Sequence, residues 1–237
     1  MRILSILVVG ALGGIIFQAF ILPYLATKNF FRQFGFVKIL TEKEVNLYPE
    51  ETVIVQENKA LQDIVEKVEK SIIAVRAQSA QGKIIEGSGL VLTNGGDVVT
   101  LGSLLPVGYN FSFFWNGEKV AYEDLEVDKT GSLVKLKIDK RDLPTLPFAD
   151  LGSVKKGQRV FLVGIIFEGG EAKKIVNEGI IKTFDEELIR TNIFENSSLI
   201  GSPLFDIEGK VLGLNIIDKE GKVTAISIKK IREFTGF

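Results

Sequence analysis

The 237 residues predict an all-β body of two small β-barrels, preceded by an N-terminal transmembrane helix and a short linker helix. Three observations carry that expectation. From Ser71 onward the chain is a series of short runs rich in Val, Ile, Leu and Phe, closed by turn residues at roughly 8–12 residue intervals, the pattern of a sandwich or barrel. From Ile3 to Thr27 there is no Asp, Glu, Lys or Arg. Between these two regions, one stretch alone has helical spacing of apolar residues.

Taken in order, the charge-free N-terminal stretch is 25 residues long. As a helix it would reach ~37 Å, against a hydrocarbon core of about 30 Å. A cleaved signal peptide is the alternative, but Tyr24 stands where a cut after Ala26 needs a small residue. An uncleaved anchor over residues 1–27 is therefore expected. Gly10 and Gly14 form a single GxxxG that would let two such helices pair into an oligomer. Lys28, Arg32 and Lys38 follow the stretch, while only Arg2 precedes its core, so counting cations places the body in the cytoplasm.

Residues 28–58 read as a juxtamembrane stalk. Phe30, Phe31, Phe34 and Phe36 either lie in the membrane interface or pack on the body. Leu61, Ile64, Val65 and Val68 share one helical face, with Glu66, Lys67, Glu69 and Lys70 on the other. The body then occupies 59–237, with a first barrel over about 71–143 and a second over about 150–228. Asn94-Gly95-Gly96, Asn116-Gly117, Glu208-Gly209 and Glu220-Gly221 mark turns. Trp115, among Phe111, Phe113 and Phe114, is expected in the core of the first barrel.

Composition removes whole classes of chemistry. The chain has no cysteine and no histidine. No Ser-His-Asp or Cys-His unit can be assembled within it, and no Cys/His zinc site or disulfide. A formal net charge of −1 gives no footprint for nucleic acid. Asp185, Glu186 and Glu187 read as a charged turn, and Gly169-Gly170 lacks the GK[ST] of a phosphate loop. No cofactor or metal is expected.

The order of fragments resembles one family. Asp63–Val75, Gly87-Ser88-Gly89-Leu90, Val98-Val99-Thr100, Leu133–Asp139, Val154–Val160, Gly201–Asp206 and Gly209–Asn215 follow one another as the corresponding pieces do in trypsin-like serine proteases, specifically the bacterial high-temperature-requirement (Deg) type, across about Leu61–Phe234. The resemblance implies the double-barrel fold, two six-stranded antiparallel β-barrels, and an endopeptidase site, and it pulls the body to the extracytoplasmic side, against the cation count. It also shows where the site departs. Ser103 stands in the place of the catalytic His, Ser132 in that of the Asp, and Ile200 in that of the nucleophilic Ser. Ser198 falls where the family has Gly beside the oxyanion hole, so that element is expected to be damaged as well.

The reading is a membrane-anchored, catalytically inactive pseudoprotease that binds a protein or extended peptide in a cleft formed by Ser198, Leu199, Ile200, Gly201 and Ser202. Two alternatives stay open. One is an active serine endopeptidase with a rearranged nucleophile, Ser197, Ser198 or Ser202 with a lysine base. The other is a structural tether that works through its phenylalanine-rich stalk.

Overall fold

The computed structural model describes residues 2–21, 24 and 50–237. The chain divides into two compact units, Met1–Val53 and Ile54–Phe237. In the first, α1 (Arg2–Ile16) passes into a π-helical turn, Phe17–Ile21. The expected span from Ile3 to Thr27 is described only in part, and the described part is not one regular α-helix. The 15 α-helical residues reach ~23 Å at about 1.5 Å each. Among the described residues, no helix is long and apolar enough to cross a membrane. Residues 22, 23 and 25–27 and the four phenylalanines of the expected stalk lie outside the described residues.

The linker helix α2 (Glu50–Val68) starts earlier than its apolar spacing indicates and runs for 19 residues. Its predicted face is the one that packs. Val68 is buried in the core of the second unit, and Leu61, Ile64 and Val65 lie against that core.

The first sheet holds β1 (Ile72–Ser79), β2 (Ile84–Val91), β3 (Asp97–Leu101), β4 (Tyr109–Trp115), β5 (Glu118–Val120), β6 (Tyr122–Val127) and β7 (Leu133–Ile138). Their order is β5-β4-β1-β2-β3-β7-β6, an open, seven-stranded sheet rather than the closed six-stranded barrel expected. The two end strands are consecutive, joined only through Ala121, and cannot pair with each other. The sheet instead curls until the Phe113 and Tyr122 rings meet edge to face at 4.9 Å. Trp115 is half-buried against the core and donates its indole N–H to the Lys70 carbonyl at 3.0 Å.

The second sheet closes. It holds β8 (Arg159–Glu168), β9 (Glu171–Phe184), β10 (Leu188–Phe194), β11 (Pro203–Asp206), β12 (Val211–Ile217) and β13 (Lys222–Ser227), in the barrel order β10-β13-β12-β11-β8-β9. The six strands match the expectation for this half. A short amphipathic helix, α3 (Ile228–Thr235), then buries Ile228 and Ile231.

Both sheets contribute to one core. Ile73, Leu90, Leu101 and Leu136 from the first pack in the same cluster as Phe161, Val163, Phe205 and Leu214 from the second. Ser88 on β2, fully buried, fastens the halves by hydrogen bonds. Its carbonyl accepts from the Thr100 hydroxyl on β3 at 2.7 Å, and its hydroxyl accepts from the Ile165 amide on β8 at 2.9 Å.

Phe205 packs on Phe161 with ring centroids 5.2 Å apart, and both are buried. Phe205→Ala is expected to cost about 3–5 kcal/mol in urea unfolding of the full chain. Leu125→Ala, on the exposed edge strand β6, should stay within about 0.5 kcal/mol of the parent.

Candidate functional site

Ser103, Ser132 and Ile200 sit at strand ends, and backbone bonds bring those ends together. β3 ends at Leu101, and a 3₁₀ turn, Gly102–Leu104, carries Ser103 outward, exposed to solvent. Leu101 is paired with Leu133 across β3 and β7, and one residue further on the Gly102 amide donates to the Ser132 carbonyl at 2.9 Å. On the second barrel, β10 is followed by a 3₁₀ turn, Ser197–Leu199, and then by Ile200 and Gly201. The Ser88 amide donates to the Ile200 carbonyl at 2.9 Å, and the Gly201 amide to the Asn215 carbonyl at 2.8 Å. The buried Leu104 side chain is the common neighbour of Gly87 and Gly201. Gly201 is required here: its φ is +78°, and a Cβ would collide with the Ser88 carbonyl and with Leu104.

None of these positions holds the His, Asp or Ser that the resemblance places there. Ile200 presents only hydrocarbon, half-buried against the core. Ser103 bears a hydroxyl, which accepts no proton near neutral pH. Ser132 sits in the turn between β6 and β7. There the Thr130 hydroxyl lies 2.6 Å from Asp128 Oδ2 and 2.8 Å from the Ser132 hydroxyl, while the Leu133 amide donates to Asp128 Oδ1 at 3.0 Å. Partial burial pushes the Asp128 carboxyl up, but the Thr130 hydroxyl and the amides of Leu133, Ser132 and Thr130 outweigh it and hold the group below its ordinary range. Asp128 is thus committed to its own turn and is a weaker base for it.

The alternative nucleophiles are equally occupied. Ser202 is buried and its hydroxyl accepts from Asn215 Nδ2 at 3.1 Å. The Ser197 and Ser198 hydroxyls lie 3.4 and 3.2 Å from Asn196 Oδ1. These serines bond to asparagines, not to a lysine.

The loop amides are spent as well. Asn196 caps the 3₁₀ turn: its side-chain oxygen accepts from the Ser198 amide at 3.0 Å, and its carbonyl from the Leu199 amide at 3.0 Å. The Ile200 amide donates to the Ser197 carbonyl at 3.2 Å. Three successive N–H groups point into the turn, so this loop aims no pair of donors at a developing oxyanion. Of the five residues expected to line a cleft, Leu199, Gly201 and Ser202 are buried, and only Ser198 and Ile200 keep partial surface. The roles of Asn196 and Asn215 were not read from the sequence. An Asn ahead of Ser-Ser and an apolar residue is a capping signal that could have pointed to the first; Asn215 carries no such local signal.

The other carboxylates flagged by the sequence are structural. Asp185 accepts from the amides of Leu188 and Glu187 and pairs with Arg190, which together hold it below its ordinary pKa. Glu186 pairs with Lys229.

Strand order, the shared core and the convergence of these three loops define a chymotrypsin-type scaffold, a closed six-stranded barrel sharing its core with an open, curled sheet. Residues 80–214 match the trypsin-like peptidase domain, more than half of the chain, and the chain belongs to that family. Among curated proteins it is similar to a probable periplasmic serine endoprotease, DegP-like, of Halomonas elongata, with 30% identity over 148 residues, 59% of this chain and 29% of that protein. It is similar also to serine protease HTRA1 of Xenopus tropicalis, with 26% identity over 199 residues, 73% of this chain and 41% of that protein. Serine protease HTRA3 of Homo sapiens matches at 25% over 190 residues, 69% of this chain and 40% of that protein. The chain thus spans well under half the length of these relatives.

Two measurements check the site. Asn196→Ala should destabilise the chain by about 0.5–2 kcal/mol and speed hydrogen exchange of the Ser198 amide, which loses its acceptor. The fold favours ionised Asp128, so its contribution is complete at neutral pH and is lost as pH falls through the lowered folded pKa. Asp128→Asn should therefore flatten the fall in urea midpoint between about pH 5 and about pH 2.

Proposed function

We propose that this chain is a catalytically inactive member of the trypsin-like family, anchored to a membrane through Ile3–Thr27, whose body binds an extended peptide or protein segment outside the cytoplasm. The observation that carries the reading is the state of the loop from Asn196 to Ser202. Its three amides bond inward, its serines bond to asparagines, and Ile200 stands where the family resemblance places the nucleophile. The absence of histidine from all 237 residues supports it, because no internal proton acceptor of the ordinary kind is present.

Binding follows from what is retained. Glycines 87, 102 and 201 keep the close backbone approaches that shape this end of the fold, although the reaction they serve has lost its participants. A strand edge with adjacent half-buried apolar groups is a general means of holding an extended peptide. Ile200, Ser198 and Ser103 supply the exposed part of such a surface. The extracytoplasmic side is favoured by the similarity to the probable periplasmic endoprotease of Halomonas elongata. The anchor is favoured by 25 consecutive uncharged residues.

The full chain, incubated with unfolded casein and with a fluorophosphonate probe across about pH 6–10, should neither cleave nor label. Labelling that disappears in Ser198→Ala or Ser202→Ala would show an active enzyme and overturn the reading. In parallel, Ile200→Arg should weaken binding of a fluorescent unfolded polypeptide by about tenfold or more. A cysteine placed at the exposed Lys219, in the β12–β13 turn, should react with an impermeant thiol reagent added outside intact cells; protection there would put the body on the other side.

A further inference from the structure

One end of the first sheet is chemically unlike the rest of the surface. Twenty consecutive residues, Val98–Gly117, contain no Asp, Glu, Lys or Arg, in a chain where a quarter of the residues are charged. Most of this run is strand and core, but its middle turns outward. After the 3₁₀ turn at Gly102–Leu104 the chain makes a tip, Leu105-Pro106-Val107-Gly108-Tyr109, before entering β4. Val107 is 101% exposed, with no neighbour covering it, and Gly108 takes a φ of +83° to complete the turn. Leu105, Pro106 and Tyr109 are half-buried at its base.

The tip has a neighbour. Ser79 is paired with Tyr109 across β1 and β4, so the β1–β2 turn lies alongside. That turn, Ala80-Gln81-Gly82-Lys83, is exposed and leads to Ile84, itself 49% exposed. Residues 79–85 and 104–110 together hold one charged side chain, Lys83, and no carboxylate. Several other exposed apolar residues of the body lie among acids: Val127 stands between Glu126 and Asp128, and Phe194 precedes Glu195. Those would repel an anionic surface; this end would not.

We infer that the Val107 tip and the adjoining Ile84 turn form a shallow membrane-contacting edge that inserts into the interface of an anionic bilayer. The chemistry fits a lipid surface in three respects. The side chains that protrude are aliphatic and convex, suited to a soft apolar layer. Tyr109 sits at the base, where an aromatic ring with a polar end matches the headgroup level. The lone charge, Lys83, has the sign that anionic headgroups attract. The inference rests on the anchoring reading given above, which would hold the body beside a bilayer so that one modest contact suffices.

The chain's lack of cysteine makes the test direct. An environment-sensitive NBD dye is attached to Val107→Cys, to Ile84→Cys, or to Ile207→Cys, an exposed control on the second barrel. Each full chain is mixed with phosphatidylcholine vesicles with and without phosphatidylglycerol, and flotation records separately whether the chain is membrane-bound. Dyes at 107 and 84 should brighten about threefold or more on anionic vesicles and be quenched by lipids spin-labelled at shallow acyl positions. The dye at 207 should not respond. To exclude insertion driven by the dye, Val107→Asp combined with the Ile84→Cys label should lose most of the response, and Lys83→Glu should reduce it on anionic vesicles only. A chain that floats while its dye at 107 behaves like that at 207 overturns the edge and leaves the anchor standing. Failure to float overturns the anchor, and a dark dye at 107 in that case overturns both.

Discussion

Ser88 is the point on which the arrangement depends. It is a small residue in a strand of the first sheet, yet its three polar groups reach three different places. The carbonyl is held by Thr100, the hydroxyl by the Ile165 amide of the second barrel, and the amide by the carbonyl of Ile200. All are buried, where leaving any one unpaired would cost about 1–3 kcal/mol. The loop that would carry a nucleophile is thereby tied to the packing of the two sheets. Gly87 and Gly201 are glycine because the backbones joined through Ser88 approach too closely for a Cβ. The architecture of the site is thus a requirement of the core and persists whether or not the site reacts.

This separation of scaffold from chemistry explains how the family fold stays complete whichever side chains stand at the three positions. Stability comes from Val, Ile, Leu and Phe in the shared core and from ladders that close the second barrel. None of that depends on the residues at 103, 132 and 200. Two of these have surface to spare, and the third gains by being apolar, since isoleucine at 200 extends the core it rests on.

Much of the fold was legible because burial on a pleated sheet leaves a plain signature. Runs such as Leu133–Ile138 and Arg159–Val163 lie within strands, and the helical face from Leu61 to Val68 packs as its spacing indicates. β5 and β6 were not legible: Glu118-Lys119-Val120 and Tyr122–Val127 are edge strands whose side chains are nearly all exposed, so they carry no apolar run. The openness of the first sheet followed from the same omission. At the site, the resemblance assigned three positions, and the loops bearing them do converge. The burial of Ser202 could not be read in that way, because it depends on where a side chain points within one turn, whereas the capping by Asn196 carried a local signal of its own.

The inward-facing amides of that turn have a consequence for the history of the molecule. Writing His, Asp and Ser back at 103, 132 and 200 would return the reacting groups without returning anything to stabilise the charge they create, because Asn196 and Ser197 already hold the donors. An attack on a carbonyl would build an oxyanion facing a closed loop. Reversal would need the side-chain replacements and a reshaped backbone at once, and each is without benefit in the other's absence. On the inactive reading proposed above, the loop acts as a ratchet: three substitutions alone would not restore catalysis.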